Sequence, residues 1–152
     1  MTQTELFGAD TAPRTMTRTK PELTLFVNDD DAEIATHRLA RCVYAETLAS
    51  SLAAVEALCV MIQNTARTDA DIGADETVFE SLSPKSSRHK DLLVEYDAPG
   101  FQMCLRAVRK MRKGLLDDSI FGATKFHRAD QMPDWATSIG SIAEVDDLIF
   151  YL

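Results

Sequence analysis

The stretch Leu39-Ala40-Arg41-Cys42-Val43-Tyr44-Ala45-Glu46 decides how this chain is read. At helical spacing Leu39, Cys42, Val43 and Glu46 fall at i, i+3, i+4 and i+7, so a carboxylate prolongs an otherwise apolar stripe. Two readings are open. In the first, Glu46 is buried with the stripe. Desolvation disfavours a carboxylate's charged form, which is how proteins obtain a general acid still protonated near neutral pH. In the second, Glu46 lies at the helix end and swings out to water.

Outward from this stretch, the periodicity predicts a first helix over residues 32–48. The acidic cluster Asp29-Asp30-Asp31 supplies its cap, and Glu33 sits in a first turn where the helix dipole favours negative charge. The cluster lacks the alternating ligands, glycine and distal glutamate of a calcium loop, so capping is its simplest role. Ala49-Ser50-Ser51 interrupts the pattern. Ser50 or Ser51 caps a second helix over 52–67, whose buried stripe is Leu52, Val55, Leu58, Cys59 and Ile62, with Glu56 and Gln63 read as solvated. Glu46 thus falls close to the bend of a helical hairpin.

A third helix is predicted over 101–115, with Cys104, Ala107, Val108, Met111 and Leu115 inside. Arg106, Arg109, Lys110, Arg112 and Lys113 surround them as a solvated face near a helix C-terminus, where cations are favoured. Residues 68–100 form a polar crossover long enough to suggest a functional role. Glu80, His89 and Glu95 lie within it, but nothing in their spacing places them at a site. Residues 122–136 read as loop-rich and carry the sole tryptophan, Trp135. Leu23-Thr24-Leu25-Phe26-Val27 and Leu148-Ile149-Phe150-Tyr151-Leu152 read as short strands. Residues 1–22, punctuated by Pro13 and Pro21, read as a flexible tail ahead of one domain over 23–152.

With 152 residues, 45% of them hydrophobic, the chain can bury about two-thirds of its unfolded surface without disulfides or a structural metal. A net charge of -8 argues against nucleic acid as the main partner. The three cysteines, Cys42, Cys59 and Cys104, each lie in an apolar periodic segment and are expected to be reduced and buried. No apolar run is long enough for a membrane span, and no motif calls for a cofactor or a metal.

Two segments together carry a resemblance. Val43-Tyr44-Ala45-Glu46, followed by an Ala/Val-rich helix closing at Asn64, and Gly122-Ala123-Thr124-Lys125-Phe126-His127 with Pro133, Trp135-Ala136 and Phe150-Tyr151, resemble the cell wall hydrolase family typified by the spore cortex-lytic enzyme SleB. Phe101-Gln102 is similar to a Gln/Phe-containing segment of that family. The likeness covers about residues 37–152, in the same order. It implies an α+β, mainly helical domain with a small β-sheet, related in style to lysozyme-like folds, that cleaves the glycan strands of peptidoglycan. Glu46 matches the catalytic glutamate.

In family members that act as lytic transglycosylases one acid suffices, because the muramyl C6 hydroxyl is the nucleophile and a 1,6-anhydro sugar results. Glycosidases that use water or a covalent intermediate need two facing carboxylates. By family position Tyr44, His127, Trp135 and Tyr151 are expected to form the groove or touch substrate, since aromatic rings pack on sugar faces and offer a polar edge. Core packing is the alternative for Phe126 and Trp135.

Two family positions differ. Thr47-Leu48-Ala49-Ser50 stands where the family has an Arg-Gly-Glu run, and Asp147-Leu148 stands where it has an Asn-His pair. Loss of those polar groups opens a second reading, a catalytically silent domain that keeps the fold for glycan binding or for contact with another envelope protein. The first residues lack the apolar core of a secretory signal. Glycan cleavage implies the periplasm or cell envelope if the protein is exported; otherwise the expectation is a cytoplasmic enzyme with an unrelated small substrate.

Overall fold

A computed structural model describes residues 29–68 and 79–152. The expected tail over 1–22 and the expected strand over 23–27 lie outside the described residues. Three amphipathic helices form close to where the 3.6-residue periodicity predicts them, α1 (Asp29–Thr47), α2 (Leu52–Thr68) and α3 (Pro99–Arg112), but α1 begins three residues early and takes in Asp29-Asp30-Asp31, expected to cap it. They pack on one another around Leu39, Val43, Leu58, Ile62, Phe101, Leu105 and Val108, all of them buried. Cys42, Cys59 and Cys104 are free thiols inside this core. Burial pushes the Cys104 thiol up to about 12.

The helix ends follow local chemistry. Ser51 caps α2 by accepting the Ala54 N–H at 3.0 Å on its side-chain oxygen. Pro99 opens α3, two residues earlier than the apolar pattern indicates, because proline at a first helical turn forfeits no hydrogen bond. The end of α3 corrects the expectation over 101–115. Gly114 adopts φ +72°, and the N–H groups of Gly114 and Leu115 bond back to the carbonyls of Met111 and Lys110. This glycine-capped stop turns the chain out, and Leu115, expected inside, is 63% exposed.

Between α2 and α3 the described part of the crossover contains two 3₁₀ turns, Glu80–Leu82 and His89–Leu93. Arg41 fastens the second to α1 by donating to the carbonyls of Leu92 at 3.0 Å and Val94 at 2.7 Å. The C-terminal third forms an antiparallel sheet of β1 (Lys125–Arg128), β2 (Ala143–Val145) and β3 (Leu148–Tyr151), in the order β1-β3-β2. Residues 125–128 were read as loop; pairing with β3, 20 residues downstream and more, is what makes them a strand. The register sets Phe126 opposite Phe150 and His127 opposite Ile149. Phe126 turns inward onto Phe79 and Phe150, with ring centroids 6.2 and 6.3 Å away. The architecture is therefore α+β: three helices and a small three-stranded sheet among the described residues.

The basic face of α3 is less free than expected. Arg109 pairs with Glu33 at 2.7 Å, Lys110 with Glu56 at 3.0 Å, and Arg112 donates to the Ala32 carbonyl. Glu56 is accordingly not simply solvated, and the Gln63 side-chain oxygen is buried. No described helix is long and apolar enough to cross a membrane.

The bend after α1 is strained. Leu48 and Ala49 both have left-handed φ, 50° and 52°, a region that costs a residue with a Cβ about 1–2 kcal/mol. Thr47 holds the bend, its hydroxyl donating to the Val43 carbonyl and accepting the Ala49 N–H. Replacing half-exposed Leu48 by glycine is expected to raise stability by about 0.5–1 kcal/mol, read as a higher urea midpoint at unchanged slope.

His37 supplies a pH-dependent element. Its ring lies between Tyr96 and Phe101, with centroids 5.7 and 6.4 Å away. Burial lowers its pKa from 6.5 to about 4; Glu33 opposes the shift, while Arg109 and Arg41 add to it. A histidine depressed on folding contributes its full stability above the unfolded value and loses it as pH falls toward the folded one. Chemical denaturation of wild type and His37→Phe between pH 7 and 4 is expected to show a shallower decline in the variant. Parallel curves would contradict this.

Candidate functional site

Glu46 ends the buried stripe of α1, one residue before the helix stops. Its side chain is 1% exposed, which selects the first of the two readings above. A carboxylate so enclosed must find its partners inside the protein. Oε1 accepts from Arg128 Nη1 at 2.6 Å, and Oε2 accepts from the Ser81 backbone N–H at 2.9 Å. Both oxygens are thus used by donors from elements distant in sequence: the end of β1 and the first 3₁₀ turn.

Arg128 is the hub of the cluster. Its side chain is 4% exposed, and its other nitrogens reach Glu80 Oε1 at 2.9 Å and Asp130 Oδ1 at 3.3 Å. Burial opposes its charge, but Glu46, Glu80 and Asp130 outweigh that, and its pKa is raised. Glu80 is 42% exposed, and the Ser86 hydroxyl donating to Oε1 at 2.6 Å orients it. Arg88 donates from Nη1 to the Ala45 and Glu46 carbonyls at 2.8 and 3.1 Å, satisfying acceptors at the end of α1. His89 Nδ1 lies 2.9 Å from the Ser81 carbonyl.

Beside this cluster opens a cleft of about 310 Å³ lined by Arg88, Arg128, Ala129, Asp130 and Asp147. Arg128 therefore stands between Glu46 and the solvent of the cleft. In this arrangement Glu46 accepts two hydrogen bonds and has no free oxygen from which to give a proton. Any proton transfer from Glu46 requires one of these donors, Arg128 or the Ser81 N–H, to release its oxygen.

The other expected site residues divide into two places. Alternation along β1 puts Phe126 and Arg128 on the inner face and His127 on the outer one. There His127 Nε2 lies 2.8 Å from the Tyr151 hydroxyl, and Nδ1 lies 2.8 Å from the Arg128 carbonyl. A carbonyl only accepts, so Nδ1 carries the hydrogen and Nε2 accepts from Tyr151. Trp135 closes the group, its ring edge-on to Tyr151 at 5.1 Å and to His127 at 5.9 Å. Trp135 is 39% exposed, whereas His127 and Tyr151, expected to touch substrate, are buried at 3% and 5%, so of this group Trp135 alone faces solvent. Tyr44 is elsewhere: its ring packs on the start of α3, where a Cβ at Gly100 would come within 3.0 Å of it.

Sequence reasoning missed Arg128 and Arg88 and left Glu80 unplaced. Arg128 had one available signal. Two residues after the apolar Phe126 in a strand, it must share that residue's face. Among the described residues, no three His, Cys, Asp or Glu side chains are grouped to hold a metal. No family model, curated protein or solved structure matches the chain.

A buried ion pair adds little net stability, but removing one partner strands the other. Arg128→Met is expected to lower the unfolding free energy by about 3–5 kcal/mol, and adding Glu46→Leu to recover part of that loss, measured by urea denaturation. A double variant no more stable than the single one would show that the two charges are not coupled.

Proposed function

We propose that this chain cleaves the glycan strands of peptidoglycan in the cell envelope as a lytic transglycosylase, with Glu46 as its single acid and base. The observation that carries this reading is a fully buried carboxylate at the end of α1 whose ion-pair partner, Arg128, lines an open cleft. The ordered likeness to the cell wall hydrolase family adds to it. So does the α+β architecture, which is of the general kind that family resemblance implies, with kinship to lysozyme-like folds as part of the proposal.

The chemistry balances with one carboxylic acid. Glu46 gives its proton to the glycosidic oxygen as the bond from C1 breaks. The muramyl C6 hydroxyl closes on C1, and its proton returns to Glu46. Trp135, braced edge-on by the buried Tyr151 and His127, offers an exposed aromatic ring suited to the apolar face of a sugar further along the strand.

A second reading has its own observation. Both Glu46 oxygens are occupied and the side chain is sealed, which favours a catalytically silent domain that binds glycan or an envelope partner.

Incubation with purified sacculi distinguishes them. Wild-type protein is expected to release fragments with 1,6-anhydro ends detectable by mass spectrometry. Glu46→Gln, checked by circular dichroism for a native fold, is expected to lose about 100-fold or more of that rate. Trp135→Ala is expected to weaken sedimentation with sacculi. Binding without any released product would replace the enzymatic reading by the binding one, and neither binding nor release would remove both.

A further inference from the structure

Arg128 has more partners than a structural ion pair needs. Its guanidinium touches Glu46 on the buried side and, on the solvent side, both the part-exposed Glu80 and the cleft-lining Asp130, so one cation faces three carboxylates. The backbone around it is fixed. The Arg128 N–H donates to the Gln131 side-chain oxygen at 3.1 Å, and the Gln131 N–H donates to the Arg128 carbonyl at 2.9 Å. Movement at this position is therefore a matter of side-chain rotamers. Glu80 is held by Ser86 and keeps Oε2 without a donor among the described residues, which leaves acceptor capacity on this part-exposed side chain.

We propose that Arg128 is a positioning residue that alternates between Glu46 and the more exposed pair Glu80 and Asp130, and that its transfer onto that pair is the step that arms Glu46. The proposal rests on the reading of Glu46 as the acid. When Nη1 leaves Oε1, a carboxylate at 1% exposure loses its ion-pair partner, which makes holding a charge there more costly. The same movement thus uncovers Glu46 and favours its protonation from the cleft. The guanidinium is not stranded, because its planar fork already bonds to Glu80 and Asp130.

The other charged or titratable groups near the pair are placed so that they do not substitute for Arg128. Arg88 is committed to the carbonyls of α1, and His89 Nδ1 meets the Ser81 carbonyl. His127 Nδ1 meets the Arg128 carbonyl on the outer face. Asp147 lines the cleft, and Cys42, one turn before Glu46, is held protonated by burial.

The test is a carboxyl titration by NMR on protein labelled with ¹³C-glutamate, run on wild type, Glu80→Gln and Arg128→Gln. Glu80→Gln weakens the more exposed seat, so Arg128 stays on Glu46, whose signal is expected to titrate at lower pH than in wild type. Arg128→Gln removes the cation, and the Glu46 signal is expected to move about one pH unit or more the other way. With sacculi, the alkaline limb of the rate profile is expected to shift in the same two directions. In Glu80→Gln, kcat is expected to fall about tenfold at little change in KM.

A Glu46 titration unmoved in Glu80→Gln, or moved the same way in both variants, overturns the proposal. If Arg128→Gln does not fold, half-exposed Glu80→Gln decides alone. The titration needs no turnover. Wild-type protein that cleaves nothing therefore removes the enzymatic reading, whereas the titration judges the sharing of Arg128.

Discussion

A carboxylate enclosed to 1% exposure cannot stand alone in a protein interior, and the arrangement of this molecule around Glu46 follows from that constraint. Its two oxygens take donors from Arg128 and from the Ser81 backbone, groups 82 and 35 residues away in sequence. The pair thereby ties the end of α1 to the crossover and to the far end of β1. Apolar contacts between the helices are non-directional and would tolerate some sliding. A charge-assisted hydrogen bond at 2.6 Å does not, so the register of the sheet against the helices is fixed at this point.

The end of α1 is held on every side. Arg88 occupies its last carbonyls, Tyr44 lies against Gly100 where no side chain fits, and a strained left-handed bend follows at Leu48 and Ala49. Strain of this kind persists only where the surroundings over-determine the conformation, and it gathers where geometry matters to function. Here it adjoins the proposed acid. A rigid helix end with a rotatable partner beside it places the freedom to move in the Arg128 side chain and not in the backbone. That division suits a site whose acid must be held in place while its access is controlled.

The sheet separates two chemistries that the family likeness treats as one groove. Its inner face carries Arg128 to Glu46, and its outer face carries His127, Tyr151 and Trp135. In the proposed reading a glycan strand long enough to pass the exposed end of β1 meets both. The cleft beside Arg128 then receives the scissile linkage, and the exposed Trp135 ring receives a neighbouring sugar. Its lining carries two arginines and two aspartates, with the Arg128 charge already balanced by carboxylates. It is therefore not a strongly basic surface, in keeping with a largely uncharged polysaccharide backbone and not a polyphosphate.

How much of this was legible beforehand depended on how local the determining force is. Helix periodicity is local, so the three helices, most of their apolar stripes and the buried thiols could be read from residue order alone, whereas Leu52 and Leu115 lie exposed, the cap of α2 was narrowed only to Ser50 or Ser51, and spacing left the burial of Glu46 open. The turn at Gly114 was also written locally, in a glycine after a basic last turn, but the apolar Leu115 beyond it masked the signal. The strand at residues 125–128 was not legible, because four residues become a strand only when a distant segment pairs with them. The partner of Glu46 was hidden for the same reason. An arginine beside a histidine in a loop-like stretch has no local reason to be buried, and only the packing of β1 against the helices turns it inward to meet a carboxylate that needs a charge. The sequence by itself determined that an acid would lie in line with the apolar stripe near the end of α1 and left open whether it is buried. Tertiary structure decided what neutralises it, because a countercharge 82 residues away is brought close only when the whole domain has closed around it.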